Sequence, residues 1–188
     1  MMQNVGVRSL VVCGSPRLSG VSARYADQLA EAFESEGRSV AQWRLARKNV
    51  AGCIGCEGCR KDFFCIIEDD MQELYGLIDQ ADEIHLVCPV YFSGPPGQFK
   101  CVLDRLQPYW ERRIGPCARH NRESEVKRPV VLHVIGAGGD PFGYNPLVTI
   151  VKSAFGSAGF FVADVVDRIG WGQGFAEEGK MLFSSKKS

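Results

Sequence analysis

Ser9-Leu10-Val11-Val12-Cys13-Gly14-Ser15-Pro16-Arg17-Leu18-Ser19-Gly20-Val21-Ser22 changes character twice. Leu10 to Cys13 is a short apolar run that stops at a glycine, the pattern of a strand buried on both faces. From Ser22 onward, Ala26, Leu29, Ala30 and Phe33 fall at helical spacing, and Gly37 supplies a stop. Between strand and helix lie hydroxyls, glycines and Arg17. A helix N-terminus there favours an anion through its unpaired amides and its dipole. The loop is not a Walker loop, because no Gly-Lys-Ser/Thr closes it, and it lacks the Gly-x-Gly-x-x-Gly dinucleotide fingerprint. Read alone, it competes on equal terms with an ordinary capped turn.

The alternation continues along the chain. Ser39 to Leu45, Ile84 to Val90, Val130 to Ile135 and Phe160 to Val166 read as further strands. The first of these is edge-like, because Gln42 and Arg44 interrupt it. Helical stripes separate them: Met71, Leu74, Tyr75 and Ile78; then Phe99, Val102, Leu103 and Leu106; then Leu147, Ile150, Val151, Ala154 and Phe155. Asp70 with Glu73 resembles a capping box. The charged stretch from Glu111 to Lys127 reads as an exposed connection, about 111–128. Five apolar strands divided by helices predict an α/β fold with a five-stranded parallel sheet covered on both faces. The expected arrangement is a flavodoxin-like three-layer sandwich, one domain over 1–188.

In such sheets ligands sit beyond the carboxyl ends of the strands. That singles out the loops after Cys13, Val90 and Ile135. Pro89, Val90, Tyr91, Phe92, Ser93 and Gly94 bring aromatic and backbone groups to a strand end, which suits a flat, largely apolar ring such as isoalloxazine. Gly136, Gly138 and Gly139, followed by Asp140, permit close backbone approach. The bland alternatives are aromatics packed on the core and a plain connection.

Composition narrows the function class. The chain has 188 residues, 45% of them hydrophobic, with 22 Lys and Arg against 22 Asp and Glu. Without a basic surplus, nucleic acid is not an expected partner. The apolar run Leu10 to Cys13 is too short for a signal core or a membrane span, so a cytoplasmic protein is expected. His85 and His133 sit in apolar strands as core residues, His120 reads as exposed, and none is an acid–base candidate.

Of eight cysteines, Cys13, Cys88, Cys101 and Cys117 are scattered and read as apolar fillers. Cys53-x2-Cys56-x2-Cys59-x5-Cys65, in a loop spanning about 52–66, is different. Three thiolates at i+3 steps can wrap three corners of a cubane cluster, and the fourth can close it. Zinc more often takes two separated Cys-x2-Cys knuckles, and a disulfide framework does not suit a reducing compartment.

Gly14-Ser15-Pro16-Arg17, the block from Cys53 to Met71, and Pro89-Val90-Tyr91 with Lys100 and Asp104-Arg105 resemble the flavodoxin-like NAD(P)H-dependent FMN reductases. The resemblance is strongest to iron–sulfur flavoproteins. It implies that Ser15, Arg17, Ser19, Gly20, Val21 and Ser22 surround an FMN phosphate, and that Pro89 to Gly94 and the loop from Gly136 line the ring. It also implies Cys53, Cys56, Cys59 and Cys65 as ligands of a [4Fe–4S] cluster, although cluster-free reductases carry a similar loop. One departure is Leu18-Ser19-Gly20-Val21-Ser22, where relatives show Ser-Asn-Thr. The expected activity is electron transfer between NAD(P)H or a protein donor, ferredoxin-like for instance, and an acceptor, in a homodimer or higher oligomer. The alternatives are an electron carrier of flavodoxin type without NAD(P)H activity, and a cofactor-free scaffold.

Overall fold

A computed structural model describes residues 8–116, 118 and 127–170. The expectations for Cys117, for His120 and for the polar tail lie outside these residues. An uninterrupted run such as Leu10-Val11-Val12 is stable as a strand only with both faces covered. β1 (Arg8–Cys13) is that strand, lying between β2 (Ser39–Arg44) and β3 (Glu83–Pro89), parallel to both. β4 (Arg128–Gly136) and β5 (Phe160–Ile169) continue the sheet in the order β2-β1-β3-β4-β5, all parallel. This is the flavodoxin-like order.

The helices complete three layers. α1 (Val21–Ser35) lays Tyr25, Ala26, Leu29 and Phe33 on Val11, Cys13, Val87 and Ile135. The opposite face carries a larger cluster. There α3 (Met71–Gln80), α4 (Gly97–Asp104) and α6 (Asn145–Ser157) supply Met71, Leu74, Ile78, Phe99, Val102, Leu147, Val151 and Phe155. A single-turn helix, α2 (Cys59–Asp62), stands within the cysteine segment. No described helix is long and apolar enough to cross a membrane.

Three local readings change. β5 runs on to Ile169, pairing along the whole of β4 with a bulge opposite Val130 and Val131. The Asp70–Glu73 capping box does not form. Asp70 instead accepts the Asn49 N–H at 2.6 Å, while Asp69 accepts the Met71 N–H at 3.0 Å, and Glu73 pairs with Lys48. The connection beginning at Glu111 is corrected as well. Gln107–Arg113 forms helix α5, and Glu111 is buried, its Oε1 accepting from Arg60 Nε at 3.3 Å.

Candidate functional site

Because all strands are parallel, their carboxyl ends lie on one rim. Gly14 N–H donates to the Val87 carbonyl at 2.8 Å and Val90 N–H to the Ile135 carbonyl at 2.8 Å. The three loops singled out by the sequence therefore leave adjacent strands in succession, β1, β3 and β4. The flavodoxin-like geometry thus brings residues far apart in the chain to one edge.

In the first loop Ser15 is buried, and its hydroxyl accepts the Arg17 N–H at 3.2 Å, bending the chain back on itself. Gly20 precedes α1 with φ 143° and no side chain caps the helix. The first-turn amides thus keep their capacity for an anion. Ser22 is buried at the helix start, while Arg17, Leu18 and Ser19 are exposed.

The second loop is a tight turn. Tyr91 and Gly94 exchange backbone hydrogen bonds of 2.9 and 3.0 Å, and Phe92 and Ser93 have φ 50° and 61°. Two successive left-handed residues are uncommon without glycine and carry some backbone strain. Contacts across the rim hold them. Ser93 Oγ donates to Asp140 Oδ2 at 3.0 Å, and the Ser93 carbonyl accepts the Leu147 N–H at 3.1 Å. Phe92 is fully exposed as a consequence of this turn.

The third loop faces the second across a cavity of about 780 Å³ lined by Val90, Phe92, Ser93, Gly136 to Tyr144, Asp167 and Ile169. Its size and mostly apolar wall suit a flat aromatic ligand. Gly138 and Gly139 have φ 87° and 88°, a conformation that favours glycine. The wall includes Asp140, Phe142 and Tyr144, which the sequence reading did not assign to the site. The first loop does not line this cavity; it sits beside it at the end of β1.

The cysteine segment forms a second centre. Cys53, Cys56, Cys59 and Cys65 all line one cavity of about 250 Å³, together with Arg60, Arg105 and Glu111. All four are free thiols, Cys53 and Cys56 exposed and the other two half-buried. Burial, and then the Glu111 carboxylate, push the Cys59 thiol up from its ordinary pKa. Among the described residues no group of three His, Cys, Asp or Glu side chains converges as a single-ion site. The thiols ring a cavity rather than meeting at a point, and that arrangement suits a polynuclear guest better than one ion. Cys13 and Cys88 are buried fillers as expected, and Cys101 is half-buried, its Sγ 3.6 Å from where a Cβ on Gly52 would stand.

Lys100 and Asp104 form the expected i,i+4 pair, Nζ to Oδ1 2.6 Å. Arg105 does not belong with them, being 1% exposed and paired with Asp69 at 2.7 Å.

A family model described as NADPH-dependent FMN reductase matches residues 7–164. An iron–sulfur flavoprotein of Methanocaldococcus jannaschii is 34% identical over 156 residues, 78% of this chain and 76% of that protein. An iron–sulfur flavoprotein of Archaeoglobus fulgidus is 31% identical over 106 residues, 56% of this chain and 48% of its own length. The chain thus spans about half the length of the first curated relatives it matches, 48%, 52% and 49%. Among solved structures, NAD(P)H:quinone oxidoreductase from Methanothermobacter marburgensis superposes with a TM-score of 0.62. It is 15% identical, and the match covers 90% of this chain and 86% of that one. At that identity the likeness concerns the fold.

Proposed function

The chain belongs to the NADPH-dependent FMN reductase family, and from that premise we propose that it is an FMN-dependent oxidoreductase drawing electrons from NAD(P)H or a protein donor. The observation that carries this reading is the shared rim. An uncapped helix N-terminus fit for a phosphate stands next to a cavity of about 780 Å³ fit for a ring. Bound FMN supplies hydride chemistry with a nicotinamide and electron transfer to the acceptor.

The residues divide the work of holding it. Ser15, Ser19, Ser22 and the amides of Gly20 and Val21 receive the phosphate, and Arg17, exposed beside them, adds a positive charge. Pro89, Val90, Tyr91, Phe92, Ser93 and Gly94 on one side, and Gly136, Gly138 and Gly139 on the other, enclose the ring. The Ser93–Asp140 hydrogen bond fixes the distance between these walls. Phe92 and Phe142, both strongly exposed, flank the mouth and exclude water once a ring or a partner covers them.

The cysteine cavity fits an iron–sulfur cluster in donor set and in enclosure, and Cys53, Cys56, Cys59 and Cys65 would hold it. Such a group supplies a one-electron port. In this reading the protein works in the cytoplasm as a homodimer or higher oligomer, with a small molecule or a ferredoxin-like protein as its partner.

Anaerobically purified protein is expected to show flavin absorption together with a broad cluster band, and about four iron per chain. Mixing with NADPH, and separately with NADH, is expected to bleach the flavin with at least one of them. A flavin that stays oxidised with both overturns the reductase reading in favour of an electron carrier. A colourless protein that takes up no FMN overturns both. Iron-free protein under strict anaerobiosis removes the cluster alone.

A further inference from the structure

Arg105 is 1% exposed, and a charge at that depth needs matched partners. Its fork finds four. One terminal nitrogen donates to the Ala51 carbonyl at 3.1 Å and Asp69 Oδ2 at 2.7 Å. The other donates to the Ile67 carbonyl at 3.1 Å and Asp69 Oδ1 at 3.1 Å. Asp69 in turn accepts the N–H groups of Ala51 at 2.9 Å and Met71 at 3.0 Å. Burial works against the Asp69 charge, but Arg105 and these amides outweigh it and hold the carboxyl below its ordinary pKa.

The positions of these partners matter more than their number. Ala51 stands just before the cysteine loop, and Ile67 and Asp69 just after it. One guanidinium therefore ties both ends of the segment that carries all four thiols. Its own backbone is anchored too, because the Tyr75 hydroxyl donates to the Arg105 carbonyl. A lysine, a point charge with no planar fork, cannot meet all four acceptors at once. Arg105 also lines the cysteine cavity, and its Nε–H, buried, has no partner among the described residues.

We propose that Arg105 is the positioning residue of the cysteine cavity, closing the loop at both ends and offering its Nε–H and charge to an anionic iron–sulfur guest. This rests on the cluster reading above. Groups that orient ligands from behind are worth as much to a metal site as the ligands' own geometry, with losses of about 10–100-fold in affinity on mutation.

The test compares the wild type, Arg105→Lys, and the double variant Asp69→Leu, Arg105→Met, each reconstituted anaerobically with ferrous iron and sulfide. Replacing a buried ion pair by apolar groups of similar volume is often neutral for stability, so the double variant separates folding from positioning. It is expected to melt near the wild-type temperature yet lose iron to a chelator about 10–100-fold faster. Arg105→Lys is expected not to rescue retention. In cluster-free protein, trypsin is expected to cut after Arg60 and Lys61 faster in both variants, because the loop ends are no longer tied. A double variant that melts like the wild type and retains iron equally well overturns the proposal. If the wild type itself takes up no iron, the cluster reading fails, and the trypsin comparison judges Arg105 separately. Unchanged cleavage then overturns the hold on the loop, and faster cleavage upholds it.

Discussion

Replacing Gly14 by alanine is expected to weaken FMN binding at least about tenfold and to destabilise the fold by about 1–3 kcal/mol. A Cβ at Gly14 would lie 2.8, 2.9 and 3.0 Å from three ring atoms of Phe99. Phe99 is fully buried in the first turn of α4, within the core beneath the rim, and has no open side to retreat into. Interiors are close-packed, so relief must come from moving either α4 or the chain at Gly14. Gly14 is also bonded through its N–H to Val87, which fixes the start of the phosphate loop against β3. The loop is the softer partner. It shifts, and the amides of Gly20 to Ser22 lose their aim. Flavin fluorescence titration reads the affinity and thermal melting reads the stability. Adding Phe99→Leu is expected to recover part of both by removing the ring. Wild-type affinity and melting in Gly14→Ala would show that the rim does not depend on this contact.

The central strands are legible because each is a near-continuous apolar run, and Ile84 to Val90 has the character that a doubly covered sheet requires. The three loops are legible as a group for the same reason, since parallel strands oblige alternate loops to share a rim. What stays hidden is set by tertiary packing. Glu111 and Arg105 belong to charged stretches that read as surface, yet both are buried, because α5 folds back over the cysteine segment. The acidic pair Asp69-Asp70 looks like a helix start. In the structure each carboxylate also reaches back to the amide of a residue about twenty positions earlier, Ala51 and Asn49. Local spacing carries no sign of such partners. The pairing of Arg105 with Asp69 across the loop is of the same kind.

Acid is expected to unfold the protein through His85 and His133, which the sequence marks only as core. They stand on neighbouring strands under α1, and burial fixes the direction of their hydrogen bonds. Tyr25 Oη lies 2.9 Å from His133 Nδ1, His133 Nε2 lies 3.1 Å from His85 Nδ1, and His85 Nε2 lies 3.4 Å from Glu83 Oε1. The Glu83 carboxylate can only accept, and it also takes the Ser9 hydroxyl at 2.7 Å and the Arg38 guanidinium. His85 therefore carries its proton on Nε2, His133 on Nε2, and Tyr25 donates to His133. Phe33 packs on His85 at 4.4 Å between ring centroids, and Arg168 lies 6.0 Å from the Tyr25 ring centre.

Both imidazoles are thus held neutral. Burial, then the charge of Arg38, lowers His85 to about 4. Burial, then His85 and Arg168, lowers His133 to about 3. The unfolded chain binds these protons near the ordinary pKa of about 6.5, the folded one only far below it. Stability is therefore fully present above about pH 6.5 and falls as pH drops toward 4 and 3. Each unit of depression is worth about 1.4 kcal/mol, so the pair removes on the order of 5 kcal/mol between pH 7 and pH 4. That rivals the whole stability of an ordinary domain. Denaturant titrations between pH 7 and 4 are expected to give a slope approaching two protons per chain near pH 5, over and above any carboxylate contribution. His85→Gln is expected to remove about one of these protons. An unchanged slope in that variant would mean that the buried pair does not govern the acid limit of the fold.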